Sequence, residues 1–519
     1  MSSDTTDTST LGADSTPDAP EGTAQALEDR NENRSQRPSS AAFRDFITSG
    51  WGPRVDLGVV PGAAAPYTAA RRDAVSAAFP GERLVVPAGT LKQRSNDTDY
   101  RFRPHSAFAH LTGFGSDQEP DAVLVFHPLG DEGHEAVLYV RPLAPRDTEE
   151  FYADSRYGEF WVGARPSLDD VTTSTGIRAA HIDELPDALA KDTGEGGVRL
   201  RVVPGADEST SILVESLRHL AGEVDDAETA EVDAQLAEML SELRLIKDEH
   251  EIGQMREAVD QTIAGFEKVV RALPRATAHA RGERVVETTF DGHARLEGNT
   301  VGYETIAAAG EHATTLHWIR NDGQVRSGEL ILVDAGVEVE SLYTADVTRT
   351  LPVDGTYTDV QRRVYTAVLD AADAAFAVAK PGTKFADIHA AAMVVIAERL
   401  GEWGLLPGTA EESLDPEGQF HRRWMVHGTS HHLGMDVHDC AQARREMYLD
   451  AVLEPGMVFT IEPGLYFKSD DLSVPEEYRG IGVRIEDDVL ITADGHENLS
   501  AALPRRPEEV EAWMASLRD

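Results

Sequence analysis

Leu330-Ile-Leu-Val-Asp334-Ala-Gly336 and Tyr343-Thr-Ala-Asp346-Val-Thr-Arg-Thr-Leu351 each set an acid inside a strongly β-prone run, the two acids twelve residues apart. Asp334 closes four consecutive apolar residues, where an unpaired carboxylate carries a heavy desolvation penalty. Read as a hairpin turning near Val339 to Ser341, the two strands place Asp334 and Asp346 opposite each other on one face. Two carboxylates facing each other in a buried sheet repel unless a cation lies between them. Two unrelated acids near strand ends would leave the same local pattern, so the pair needs support from elsewhere in the chain.

Met457-Val-Phe-Thr-Ile-Glu462-Pro-Gly464 repeats the arrangement, although a solvated Glu at a strand-terminal turn would look the same. Gly482-Val-Arg484-Ile-Glu486-Asp-Asp-Val-Leu-Ile491 alternates, with Val483 and Ile485 pointing one way and Arg484 and Glu486 the other. A surface face would also alternate. Four acids in apolar strands are nevertheless hard to treat as independent accidents. The remaining cluster, His427-Gly-Thr-Ser-His431-His432-Leu-Gly434-Met-Asp-Val-His438-Asp439, concentrates groups that ligate metals or move protons near neutral pH. One imidazole with four carboxylates is an oxygen-rich ligand set, better suited to Mn²⁺ or a similar ion than to a thiolate-type structural zinc. Two divalent cations would neutralise four carboxylates where one would leave the site strongly anionic, so a two-metal centre is expected, with a water or hydroxide between the ions as nucleophile.

The rest of the chain bounds this reading. Its 519 residues allow two to four domains. A net charge of −43 works against nucleic-acid partners and anionic membrane surfaces. Cys440 is the one cysteine, which excludes an internal disulfide and reads as a small buried filler. No apolar run approaches the roughly 20 residues of a membrane span, and the opening Met-Ser-Ser-Asp-Thr-Thr-Asp lacks a signal-peptide pattern, so the expected address is the cytoplasm. Residues 1–40 are too polar to offset their ordering entropy, and a disordered acidic, polar tail is drawn over 1–55. Over 56–244 helical stretches (Ala69 to Phe79, Ser211 to Leu220) alternate with β-prone runs at Leu84, Ala122 and Ala136, giving an α/β domain. Leu236, Met239, Leu240 and Leu243 continue at helical spacing, and the charged break Lys247-Asp-Glu-His-Glu251 puts the boundary near 245. Two amphipathic helices, Val364 to Val378 and Phe385 to Leu400, fall in the second domain, 245–519.

From about 60 to 510 these residues resemble the pita-bread metallopeptidases, and among them the Xaa-Pro aminopeptidases (aminopeptidase P). Asn96-Asp-Thr-Asp-Tyr-Arg101 and Leu111-Thr-Gly-Phe114 resemble parts of the creatinase-like N-terminal domain. The expected fold class is therefore α/β (α+β), a creatinase-like α/β domain followed by a pita-bread catalytic domain. Five motif positions occur in the family's order: Asp334, Asp346, His431 in Gly-Thr-Ser-His-His-Leu-Gly, Glu462 and Glu486. Relatives commonly separate the two aspartates by eleven residues rather than twelve, and the extra residue is expected in the turn. The resemblance implies that Asp346 and Glu486 bridge two ions, most readily Mn²⁺ with Co²⁺, Zn²⁺ or Fe²⁺ as alternatives. It implies further that Asp334 completes one ion and His431 and Glu462 the other, with Glu462 also shuttling the proton. His317, His427 and His438 match further active-site positions. His317 and His438 would steady the substrate carbonyl and its oxyanion, and Arg484 would keep the acidic cluster ionised.

The implied activity is removal of the first residue from peptides whose second residue is proline, by a homodimer or homotetramer. A prolidase of the same fold is the alternative, which Ser430 before His431 and the 96–114 segment count against. A methionine aminopeptidase would usually lack so large an N-terminal domain. An inactive interaction protein would show broken ligand positions, and none is broken here.

Overall fold

In the computed structural model, which describes residues 38–518 except 39, 55–57, 97, 195–196 and 223–225, the expected strands form a mixed five-stranded sheet. Its strands are β1 (Arg83–Pro87), β2 (Val123–Pro128), β3 (His134–Val140), β4 (Arg178–His181) and β5 (Leu200–Val202), in the order β4-β3-β2-β1-β5. β1, β2 and β3 pair antiparallel, whereas β4 and β5 join the edges in parallel. The runs are apolar on both faces because both faces are covered. Leu84, Val86, Leu124, Phe126 and Leu138 enter one core, and Val85, Val123, Val125, Val137 and Tyr139 enter the other, as the two-residue period of a strand requires. Helix α1 (Asp226–Leu243) brings Leu236 and Leu240 onto the first of these faces.

The charged break at 247–251 is a helix start. Asp248 caps α2 (Glu249–Thr277): its carboxylate accepts from the Glu251 N–H, while the Glu251 side chain accepts from the Asp248 N–H. Beyond it, α3 (Gly282–Glu297), α4 (Asp359–Val378) and α5 (Phe385–Glu402) pack around one core shared with small antiparallel sheets, three of which position the site. β6 (Ile306–Ala309), β7 (Leu330–Ala335) and β8 (Val347–Pro352) form the first, in the order β8-β7-β6. β9 (Val458–Ile461), β12 (Asp487–Ile491) and β13 (His496–Asn498) form the second, and β10 (Gly464–Tyr466) with β11 (Gly482–Arg484) the third. Gly482 to Ile491 is therefore two strands in two sheets. The chain breaks at Ile485 and Glu486, whose N–H groups turn to Pro463 and Thr348.

The described residues divide into two compact units. One unit comprises residues 58–92, 101–142 and 166–519, the other residues up to 57 with 93–100 and 143–165. Charged ties join residues before and after 245 within the first. Arg103 donates to Glu338 at 2.7 Å and to the Met435 carbonyl at 2.6 Å, and Arg244 donates to Asp439 at 2.9 Å. In the smaller unit, Trp51 packs edge-on against Phe151 and Phe160 beneath the Arg146 guanidinium, and Arg54 pairs with Glu159. Within the stretch read as tail, residues 41–47 form a helix capped by Ser40. Most of the expected tail, residues 1–37, lies outside the described residues. Among the described residues no helix is long and apolar enough to cross a membrane.

Glu251 is the most heavily used of these ties. Its buried carboxylate meets Arg71 at 3.5 Å, His110 at 3.2 Å and the Tyr343 hydroxyl at 2.8 Å. Burial pushes its pKa up, but the His110 ring, Arg71 and the Asp248 N–H hold it well below the usual carboxylate range. In Arg71→Ala this acid loses its cation, and stability is expected to fall by about 3 kcal/mol in urea unfolding at pH 7. A carboxylate with a depressed folded-state pKa stabilises above its unfolded pKa and loses that contribution as pH falls. The acid limb of the stability profile should therefore be shallower in the variant, and an unchanged limb would show that Arg71 does not hold Glu251 ionised.

Candidate active site

Hydrogen bonding between neighbouring chain segments assembles the site. Asp334 lies one residue from the end of β7, and β8 returns beside it with Asp334 across from Thr348. Asp346, two residues before Thr348, is thus a diagonal neighbour of Asp334 on the same face. This corrects the expectation that the two acids stand directly opposite. The turn runs from Val339 to Tyr343, closed by Val339 N–H to Tyr343 O at 2.9 Å, with Leu342 at φ +73°. Its tip is Ser341, one residue beyond Glu340, the tip that direct opposition would need. The Tyr303 hydroxyl spans the offset, 2.6 Å from Asp334 Oδ1 and 2.5 Å from Asp346 Oδ1.

The histidine-rich loop lies along β9. Leu433 N–H reaches Val458 O, Thr460 N–H reaches His431 O and Glu462 N–H reaches Thr429 O, at 3.1, 2.9 and 2.8 Å. That pairing brings His431 beside Glu462, just past the strand's end. His431 Nε2 stands 3.3 Å from Asp346 Oδ2 and 3.6 Å from Glu462 Oε1, and its Nδ1 faces the His432 carbonyl at 3.2 Å. A proton on Nδ1 leaves the Nε2 lone pair aimed at the acids, as a metal-ligating imidazole requires. Glu486 sits in the break between β11 and β12, accepting from Thr348 Oγ1 at 2.7 Å. Donor atoms of Asp346, His431 and Glu486 lie within 4.8 Å of one another.

All nine residues singled out from the sequence, Asp334, Asp346, His431, Glu462, Glu486, His317, His427, His438 and Arg484, line one cavity of about 520 Å³. Arg484 reaches Asp334 at 2.5 Å and Glu486 at 3.9 Å. It also starts a chain of bonds, donating to the Tyr466 hydroxyl at 3.2 Å, which lies 2.8 Å from His427 Nε2, while His427 Nδ1 is 2.6 Å from Gly428 O. Burial and then Arg484 lower the His427 pKa to about 3, so the ring is neutral, with Nδ1 donating to the carbonyl and Nε2 accepting from Tyr466. His438 has its ring 4.2 Å from that of His431 and is likewise pushed down by burial. His432, from the same loop, does not line the cavity; it stacks fully buried on Phe385. Sequence reasoning missed Tyr303, Tyr466 and the apolar wall of Ile306, Leu316, Ile319 and Val437. A tyrosine beside a strand or a leucine in a loop carries no charge anomaly to mark it.

Without cations the acids stand under strain. Burial raises Glu486 well above the usual carboxylate range, reinforced by Asp346, Glu462 and Asp334. Burial likewise raises Asp334, with repulsion from Asp346 working against the help of Arg484, and Glu462 is pushed up to about 7. His431 goes the other way. Burial alone would lower it, but Asp346 and Glu462 hold it at about 9. Four carboxylates and one imidazole that cannot all take their ionised or neutral ligand forms together are the donor set a divalent cation resolves.

Comparison with known proteins places the chain in a class. Residues 253–493 match metallopeptidase family M24, and residues 68–198 match the aminopeptidase P N-terminal domain. Xaa-Pro aminopeptidase 1 of Streptomyces coelicolor is 52% identical over 97% of both chains. Xaa-Pro aminopeptidase of Escherichia coli is 33% identical over 85% of this chain and 95% of its own. Among solved structures, zinc-substituted E. coli aminopeptidase P in complex with product superposes at a TM-score of 0.76 and 31% identity, covering 88% of this chain and all of that one. The chain belongs to metallopeptidase family M24, in its Xaa-Pro aminopeptidase (aminopeptidase P) group. It is an enzyme of that class, a metal-dependent exopeptidase with the pita-bread catalytic fold.

Proposed function

We propose that the chain hydrolyses the bond between the first residue and a following proline, using two divalent ions, most readily Mn²⁺, held by Asp334, Asp346, His431, Glu462 and Glu486. The observation that carries this reading is the convergence of these five side chains, from one strand, the ends of others and a loop, on one cavity. Bound ions would acidify a water and polarise the scissile carbonyl. Glu462 takes the proton of the attacking water and passes it to the proline nitrogen. His317 and His438 hold the carbonyl oxygen and then the oxyanion, and the neutral ring of His438 has one N–H to give. Arg484, against Asp334, favours the ionised form of that acid while Tyr303 fixes the orientation of both aspartates. A bond to proline is a tertiary amide with no N–H, so a site that works through water activation and carbonyl polarisation loses nothing at it. The same reading takes 56–244 as the N-terminal domain, 245–519 as the catalytic domain and the assembly as a homodimer or homotetramer. Assayed side by side, an Xaa-Pro-Yaa tripeptide is expected to be cleaved at least as efficiently as the Xaa-Pro dipeptide. Strict preference for the dipeptide would overturn this choice in favour of a prolidase.

A further inference from the structure

Glu283 is an acid on the buried stripe of α3, in line with Val286 and Phe290, and it has no exposed surface. It is absent from the cavity wall, and its carboxylate is fully engaged with one segment. Oε1 accepts from the Ala309 N–H at 2.8 Å and faces His312 Nδ1 at 2.7 Å. Oε2 accepts from the Trp318 indole at 2.9 Å and from the Gly323 N–H at 2.6 Å. These partners span the whole of residues 309–323, which leave β6, pass the cavity and return. Between them the His312 and Trp318 rings stack at 3.9 Å. The same segment presents Leu316, His317 and Ile319 to the cavity. His317 makes no hydrogen bond of its own among the described residues, so its place is set by the backbone that carries it.

We infer that Glu283 is a positioning residue for the reaction, gathering both ends and the middle of the 309–323 segment so that His317 stands at the substrate carbonyl. This rests on the role proposed for His317. The segment has no strand pairing over 315–323 to hold it, and displacements of about 1 Å in a reacting group can cost on the order of 10²-fold in rate. A neutral amide at 283 would turn an N–H toward donors, breaking the gather on at least one side while leaving volume unchanged.

A double-mutant cycle on kcat/KM with an Xaa-Pro-Yaa substrate tests this. Glu283→Gln is expected to lose about tenfold or more and His317→Ala about 10²-fold. The double variant is expected to match His317→Ala within about twofold, because the first change has nothing left to misplace. Bound metal should be unchanged in Glu283→Gln. Losses that multiply, an unaffected Glu283→Gln, or loss of metal in that variant would each overturn the inference while leaving His317 in its role. Native kcat/KM in His317→Ala would instead overturn the role of His317 itself, and this inference with it. If Glu283→Gln does not fold, Trp318→Phe enters the same cycle. It removes one donor to Glu283, keeps a ring on His312, and is expected to show the same lack of further loss in the His317→Ala background.

Discussion

Asp346→Asn is expected to lower kcat/KM on an Xaa-Pro-Yaa substrate by about 10³-fold or more, with loss of tightly bound metal and no loss of fold. Asp346 meets a neighbour through each of its oxygens. One oxygen lies 3.3 Å from His431 and the other 2.5 Å from Tyr303, and its backbone N–H is held by Asp488 at 3.1 Å. The amide keeps shape and volume but removes one negative charge, and one of its two ligating positions becomes a donor. Metal-free stability should not fall, because one of several mutually repelling buried carboxylates has become neutral. Metal content by atomic spectrometry, thermal unfolding and steady-state kinetics on one preparation separate these effects. Activity within tenfold of the native enzyme would remove Asp346 from the centre.

That residue was legible because its surroundings made it costly. An acid closing Leu330-Ile-Leu-Val, and another directly before the β-prone run Val347–Leu351, mark places where a carboxylate needs a partner. Register was less legible, since shifting the turn tip from Glu340 to Ser341 alters no side-chain type. The split of Gly482–Ile491 was invisible for a related reason. Arg484 and Glu486 still line one cavity across the break, and alternation survives although the hydrogen-bonding partners change sheets. The bonds of Arg71, Arg103 and Arg244 cross residue 245 or reach far beyond it, over separations in sequence that periodicity does not register. Glu283 did leave a trace, a charge on an otherwise apolar helical stripe, the same kind of anomaly that marked Asp334.

Metal removal should make stability fall with rising pH, over a window the buried groups define. Burial, then repulsion from Asp346 and Asp334 that His431 and Arg484 only partly offset, lifts Glu462 from 4.5 to about 7. A folded-state pKa above the unfolded one gives stability that is complete below the unfolded value and lost through the folded value. Between about pH 4.5 and 7 this group alone removes about 3 kcal/mol from the metal-free protein. Glu486 and Asp334, also raised, add in the same direction. His431, raised from 6.5 to about 9, extends the loss upward as its proton leaves. Metal-loaded protein has no such slope, because cations take the place of those protons. The gap in Tm between loaded and chelated protein should therefore widen steadily from pH 5 to pH 9, while groups such as Glu251, common to both forms, cancel. A gap that is constant or narrows over that range would mean that the acids lining the cavity do not share a cation.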